Sequence, residues 1–305
     1  MTVPWRPLIA LGTLLFAAPA LPGIAARTVA LLTGRRGAPV LQPYRDMARL
    51  LGKGAVLSPT TTWVFRAAPA VILATTLLAA CLVPLDGRAP AYGFAGDLIA
   101  FAALLALGRL ALVLGGLDTG SSFEGMGAGR ELAVSVFAEP ALFAGFVTLA
   151  LATGSLSLAG LLGPPLAAAW AHATASVALV AASLFVVLLA EASRGPVDDP
   201  ATHLELTMIH EVTILDHSGP DLAVLLYAGA LRFALFAALV IAVLVPRARL
   251  SPAAAIAVLA AGLAGMAVLV GIVESVMARL RLVHIPQFLV AAAALSVLGG
   301  LLLLR

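Results

Sequence analysis

Eight apolar stretches dominate the chain, near residues 5–32, 67–85, 96–117, 132–155, 165–192, 221–245, 252–275 and 284–304. Each is at least about 19 residues long, enough as a helix rising 1.5 Å per residue to cross a hydrocarbon core of ~30 Å. Of the 305 residues, 62% are hydrophobic and 11% are charged, against about 25% charged in a soluble domain. The reading is all-α: one polytopic membrane domain over residues 1–305 with about eight transmembrane helices and no soluble domain. Pro19 and Pro22 predict a kink in the first span, because proline removes a backbone donor. That span is too long, and its flanks too poor in charge, for a cleaved signal peptide; Arg6 alone precedes it.

The cations set an expected orientation. Arg35, Arg36, Arg45, Arg49 and Lys53 lie between the first two spans, with Arg27 and Arg66 at the edges, and Arg130, Arg194, Arg279 and Arg281 fall in loops on the same side. The opposite side has Arg6, Arg88, Arg247, Arg249 and Arg305. The positive-inside rule then puts both termini outside the cytoplasm of a cytoplasmic (inner) membrane. The expected cytoplasmic loops are about 33–66, 118–131, 193–220 and 276–284. Arg247 and Arg249 run against this trend. The net charge of +3 reports membrane topology and gives no reason to propose nucleic acid as a partner.

Several chemistries are excluded. Cys81 is the single cysteine, so the chain forms no internal disulfide and by itself holds neither an iron–sulfur cluster nor a thiolate zinc site. No glycine-rich phosphate loop is present, and the pair His210–Glu211 fails as a metalloprotease motif because Ile214 stands where the second histidine belongs.

What remains is the placement of ionisable groups. A charge near the bilayer centre costs about 2.5–3.5 kcal/mol on insertion scales, so such groups tend to be paired, hydrated or functional. Arg109 lies well inside the third span, Arg232 inside the sixth and Glu274 at the end of the seventh; Glu124, Glu131 and Glu139 frame the start of the fourth, and Glu191 closes the fifth. The stretch Glu191–Asp221 holds seven carboxylates and three of the five histidines. Pro196 and Pro200 break its start, and residues 203–217, free of Gly and Pro, are expected to form one amphipathic helix. His203, Thr207, His210, Glu211 and His217 would share its polar stripe, with Leu204, Met208, Val212 and Leu215 opposite. Such a helix is either a proton-conducting or docking element, or an interfacial helix whose polar face meets water. Histidines seven residues apart are about 10 Å apart along a helix, too far for one metal ion.

At these residues the sequence resembles a known family: the membrane subunit shared by respiratory complex I (its subunit 1) and the energy-converting, group 4 nickel–iron hydrogenases. Within it, the formate hydrogenlyase and hydrogenase-4 type of anchor subunit is the most similar. Gly34–Lys53 resembles the family's first cytoplasmic loop and Leu117–Pro140 its second. Glu191, Arg194, Pro196, Asp198, Pro200 and Glu205 fall on the third-loop pattern E-x-x-R-x-P-x-D with its following carboxylates, and Glu274–Pro286 completes the set. Ala201 and His203 stand where complex I subunits carry glutamates, and Val197 replaces an aromatic, which favours the hydrogenase branch.

The resemblance implies a membrane anchor and coupling subunit, itself free of redox centres. Arg35, Arg36, Arg45, Asp46 and Lys53 would help dock the peripheral arm. A hydrogenase-like large subunit and an iron–sulfur small subunit would carry the NiFe centre and the clusters, with antiporter-like membrane subunits alongside. Glu131, Glu139, Glu191, Glu205, Glu211 and Asp216 are the candidates for proton relay or coupling, and Arg109 and Arg232 their charge partners. Arg194 and Asp198 are expected to pair across the third loop. The alternatives are a quinone-site subunit of complex I type and a stand-alone secondary transporter.

Overall fold

The computed structural model describes residues 5–198 and 208–304, and among them it is entirely helical, with no strand. The chain runs through α1 (Trp5–Ala17), α2 (Ala20–Leu32), α3 (Gln42–Leu51), α4 (Trp63–Leu82), α5 (Asp97–Asp118) and α6 (Ser122–Thr153). It continues through α7 (Leu158–Leu162), α8 (Pro164–His172), α9 (Thr174–Glu191), α10 (His210–Thr213), α11 (Gly219–Leu244), α12 (Pro252–Val276) and α13 (Ile285–Leu303). Among the described residues, seven helices are long and apolar enough to cross a membrane, and α1 with α2, bent by 46° at Ala18–Pro19, make an eighth when counted as one span. The kink therefore lies where the prolines put it. The fifth span is shorter than expected: the chain breaks at Ala173, and the long helix begins only at Thr174.

Local chemistry sets several helix ends. The hydroxyls of Thr62 and Ser251 accept amides of the first turns of α4 and α12, and Pro220, Pro252 and Pro286 occupy first-turn positions where no donor is needed. Gly154, at φ +69°, closes α6 in the left-handed conformation. α11 is the axis of the bundle. Every residue from 230 to 243 is buried, as expected of a helix that is apolar all round. It packs against α9, α4 and α12, while α5 pairs with α4, α6 and α9 with α13, and α1 and α2 with α12.

The end of the bundle that carries α3 is rich in polar ties. The Tyr44 hydroxyl donates to the Phe16 carbonyl, so α3 is moored to the end of α1, while its Arg45 and Arg49 stay exposed. At the opposite end Arg88 donates to the carbonyls of Ala248 (2.9 Å) and Leu250 (3.3 Å). There Arg247 is only 1% exposed, set against Gly87 and within electrostatic reach of Asp86. Of the two cations that run against the charge trend, Arg247 is thus buried, whereas Arg249 stays exposed.

The expected helix over 203–217 is corrected. Residues 203–207 lie outside the described residues, and beyond them only His210–Thr213 is helical. Side chains compete for this backbone. Asp198 accepts the amides of Ile209 and His210, both at 3.1 Å, and Glu124 accepts the Asp216 amide at 2.9 Å. Met208 and Val212 are buried as the apolar pattern required, but Leu215 is exposed and His217 is buried, because the chain leaves the helix at Ile214.

Two glycines seat this segment. A Cβ at Gly116 would meet Thr213 Cγ2 at 3.0 Å, and one at Gly127 would meet Thr213 Oγ1 at 2.6 Å and its backbone N at 2.9 Å. Gly129, one half-turn on, faces open space. Gly127→Ala is therefore expected to lower stability by about 1–3 kcal/mol through overpacking. Gly129→Ala should be neutral or stabilising by up to about 1 kcal/mol from helix propensity. Thermal unfolding of the two variants in detergent checks the contrast.

Candidate functional site

Arg109 stands near the midpoint of α5, facing inward, with 4% of its surface exposed. An unpaired guanidinium there would be costly, and α5 delivers it between two carboxylates. One arm pairs with Glu139 of α6 and the other with Glu191 at the end of α9. Arg232 of α11 approaches the second Glu191 oxygen at 4.0 Å. Glu131, buried one helical face away on α6, lies within electrostatic reach of both arginines. Gly108 makes the convergence possible: a Cβ there would meet the Thr75 hydroxyl at 2.6 Å and Arg232 Nη2 at 3.6 Å.

The two carboxylates that Arg109 joins face different surroundings. The Glu191 side chain is 4% exposed and lines a cavity. That of Glu139 is 40% exposed, set in an outward apolar stripe of α6 formed by Leu132, Val136, Phe143 and Val147. The arginine therefore links the interior of the bundle to its lateral surface.

The cavity holds about 300 Å³ and is lined by Asp46, Glu191, Asp198, His210, Glu211 and Arg232 among others. A second of about 580 Å³ shares Asp46, Arg194 and Asp198 with it and extends along α2 to Arg35, Glu274 and Arg279. The turn after α9, through Arg194 and Asp198, lines both. The expected side-chain pair between Arg194 and Asp198 does not form; each reaches a neighbouring element instead. Arg194 reaches Glu274 of α12 at 3.6 Å and lies over the Phe233 ring at 5.8 Å; Asp198 is joined by Arg279 at 3.3 Å. Both side chains are committed to neighbouring elements, so the turn is held from outside.

The other candidates divide. Glu191, Glu211, Arg232 and Asp46 meet at the first cavity, and Glu131 and Glu139 meet at Arg109. Asp216 belongs elsewhere, on the surface beside Glu124. Arg35, Arg36, Arg45 and Lys53 are exposed, and Glu205 lies outside the described residues. Among the described residues no group of three or more His, Cys, Asp or Glu is arranged to hold a metal ion. Sequence reasoning left out His210 as a cavity residue and Arg279 as the Asp198 partner. The HE pair and the motif ESVMARLRLVHIP were in view, but only the fold brings them to the third-loop turn.

Both described histidines of this segment are held neutral. Burial and the Arg232 charge bring His210 from 6.5 to about 4, against the pull of Asp198. Burial alone brings His217 to about 4, where its ring stacks on Phe65 at 3.8 Å. Below about pH 6.5 the unfolded chain takes up protons that the folded one refuses, so stability falls with pH until the folded rings protonate near 4. His217→Phe keeps the stack and removes one titrating ring. It is expected to lose less thermal stability than the parent between pH 7 and pH 5; an identical loss would show that His217 contributes nothing to acid sensitivity.

Comparisons with known proteins agree with one another. The model of the NADH dehydrogenase family matches residues 6–304. Hydrogenase-4 component C of Escherichia coli K12 is 32% identical over 77% of this chain and 73% of its own. Formate hydrogenlyase subunit 4 of the same organism is 38% identical over 51% of this chain, a match that spans half its own length. A subunit of the NADH-quinone oxidoreductase of Rubrobacter xylanophilus is 27% identical over 67% of this chain and 65% of its own. In fold, the chain is similar to one from the structure of the membrane-bound sulfane sulfur reductase, an archaeal respiratory membrane complex, with TM-score 0.81 and 19% identity over 99% of this chain and all of that one. On its sequence match across nearly the whole chain, this protein belongs to the NADH dehydrogenase family, the membrane subunits of complex I and hydrogenase-like respiratory complexes.

Proposed function

We propose that this chain is the anchor and coupling subunit of an energy-converting, group 4 nickel–iron hydrogenase-like complex. In this reading it docks a peripheral electron-transfer arm on the face formed by α3 and the third loop, and links redox chemistry there to translocation of protons or sodium ions. The observation that carries the reading is the Arg109 bridge between Glu191 at the cavity and Glu139 at the lateral surface. A change of charge or geometry at the third loop would alter the field at Glu191 and Arg232. In a site of low dielectric, that shifts which carboxylate Arg109 pairs and so which holds a proton. The half-exposed Glu139, in an otherwise apolar stripe, suits a neighbouring membrane subunit that offers a polar group there, since lipid offers none. Arg35, Arg36, Arg45, Asp46 and Lys53 supply charge for the docking face.

The arginines hold and transmit charge but do not carry protons, since guanidinium is effectively always charged. Glu131, Glu139, Glu191 and Glu211 are the proposed relay groups. The iron–sulfur clusters and the NiFe centre belong, in this reading, to a small and a large partner subunit, with antiporter-like subunits beside α6. The membrane is the cytoplasmic one, with both termini on its outer side. The apolar flank of the second cavity, along Ala26, Val29 and Ala30, favours one second reading, a quinone-site subunit of complex I type.

Tagging the chain, extracting it in mild detergent and identifying its companions by mass spectrometry tests the proposal. A nickel–iron hydrogenase-like large subunit, an iron–sulfur small subunit and antiporter-like subunits are the expected set. Flavin- and NADH-binding companions would replace the hydrogenase reading with the complex I reading. A chain that remains alone would overturn both and restore the transporter.

A further inference from the structure

Glu124, in the first turn of α6, has no exposed surface. Its Oε1 accepts the Asp216 amide at 2.9 Å, whereas Oε2, equally buried, has no hydrogen-bond partner. No ion pair with a cation reaches it among the described residues, unlike Glu139, Glu191 and Glu274. What does reach it is the residue that carries a second acid: Asp216, whose amide is the Oε1 donor, has its own carboxylate within electrostatic reach of Glu124 and open to solvent. Two carboxylates so placed repel, and a proton held between them relieves that repulsion.

Asp118, at the end of α5, is engaged by the amides of Thr62 and Phe65, and His217 is stacked on Phe65. Thr119, from the same turn, donates its hydroxyl to the Gly116 carbonyl at 2.8 Å.

Glu124 also begins a line. On α6, Glu124, Glu131 and Ser135 are spaced by seven and four residues, which places them on one face within an arc of about 40° at 100° per residue. All three are buried. Gly127 lies between the two glutamates and admits the Thr213 hydroxyl to the same face. Glu131 then lies in the field of Arg109 and Arg232.

We propose that Glu124 and Asp216 share one proton and form the proton-exchange site of the surface between the second and third loops. The Asp216 carboxylate takes the proton from bulk water and passes it to the Glu124 carboxylate, from which it moves along the buried face of α6 toward Glu131. This rests on the relay reading of the Arg109 cluster and adds where the proton enters.

Infrared difference spectroscopy on membranes holding the assembled complex tests it through pH jumps in H2O and D2O. The parent should show a protonated-carboxyl C=O band that shifts on exchange to deuterium. Glu124→Gln should remove that band while Glu131→Gln keeps it, and Asp216→Asn should keep the band but move its titration midpoint. An unchanged band in Glu124→Gln, or an unmoved midpoint in Asp216→Asn, overturns the proposal. Co-purification of partner subunits with each variant separates this from misfolding. Loss of this site with coupling through Glu139 and Glu191 intact would leave the relay reading standing and remove only its entrance.

Discussion

A guanidinium near the middle of an apolar bundle has few ways to be tolerated, and Arg109 uses one that organises the chain around it. Its two carboxylate partners come from α6 and α9, and Arg232 adds a second cation from α11. Breaking a buried pair by deleting one partner costs about 3–5 kcal/mol, mostly because the other charge is left alone. Four helices are therefore held to one another by electrostatics at a depth where apolar packing has no directional preference. Gly108 and Thr75 complete the arrangement by letting α4, α5 and α11 come together closely enough for the charges to meet.

The polar segments outside the bundle serve that cluster. α10 is too short to fold by itself. It is held by Asp198 at its start, by Thr213 in the Gly116–Gly127 slot, and by Glu124 and the Phe65–His217 stack at its end. The turn after Glu191 is fastened to α12 through Arg194–Glu274 and to the following loop through Asp198–Arg279. These fastenings define the cavity in which Glu191, His210 and Arg232 face Asp46 of α3. A partner pressing on α3 or on the third loop would act on charges only one side chain away from Arg109.

The spans were legible because hydropathy over about 20 residues is a strong signal and lipid leaves helices little alternative. The break at Pro19 followed from the missing backbone donor. The helix over 203–217 was misread because periodicity records which side chains can share a face. It does not record that Asp198 and Glu124, from other elements, claim the amides of that segment. Arg109 and Arg232 were visible as misplaced charges, and Glu139 and Glu191 as helix-end acids, but their convergence depends on packing between helices more than 80 residues apart in the chain (Arg109 to Glu191). Arg247 illustrates the same limit in reverse: it counts as a loop cation in the sequence and is interior in the fold.

The most direct test of the account is the ratio of proton translocation to electron transfer in proteoliposomes holding the assembled complex, compared between the parent, Glu139→Gln and Glu191→Gln. The account predicts that both variants keep their partners and their electron transfer while translocation per electron collapses. A translocation ratio unchanged from the parent in both would contradict it, and would leave the Arg109 bridge as a structural fastening alone.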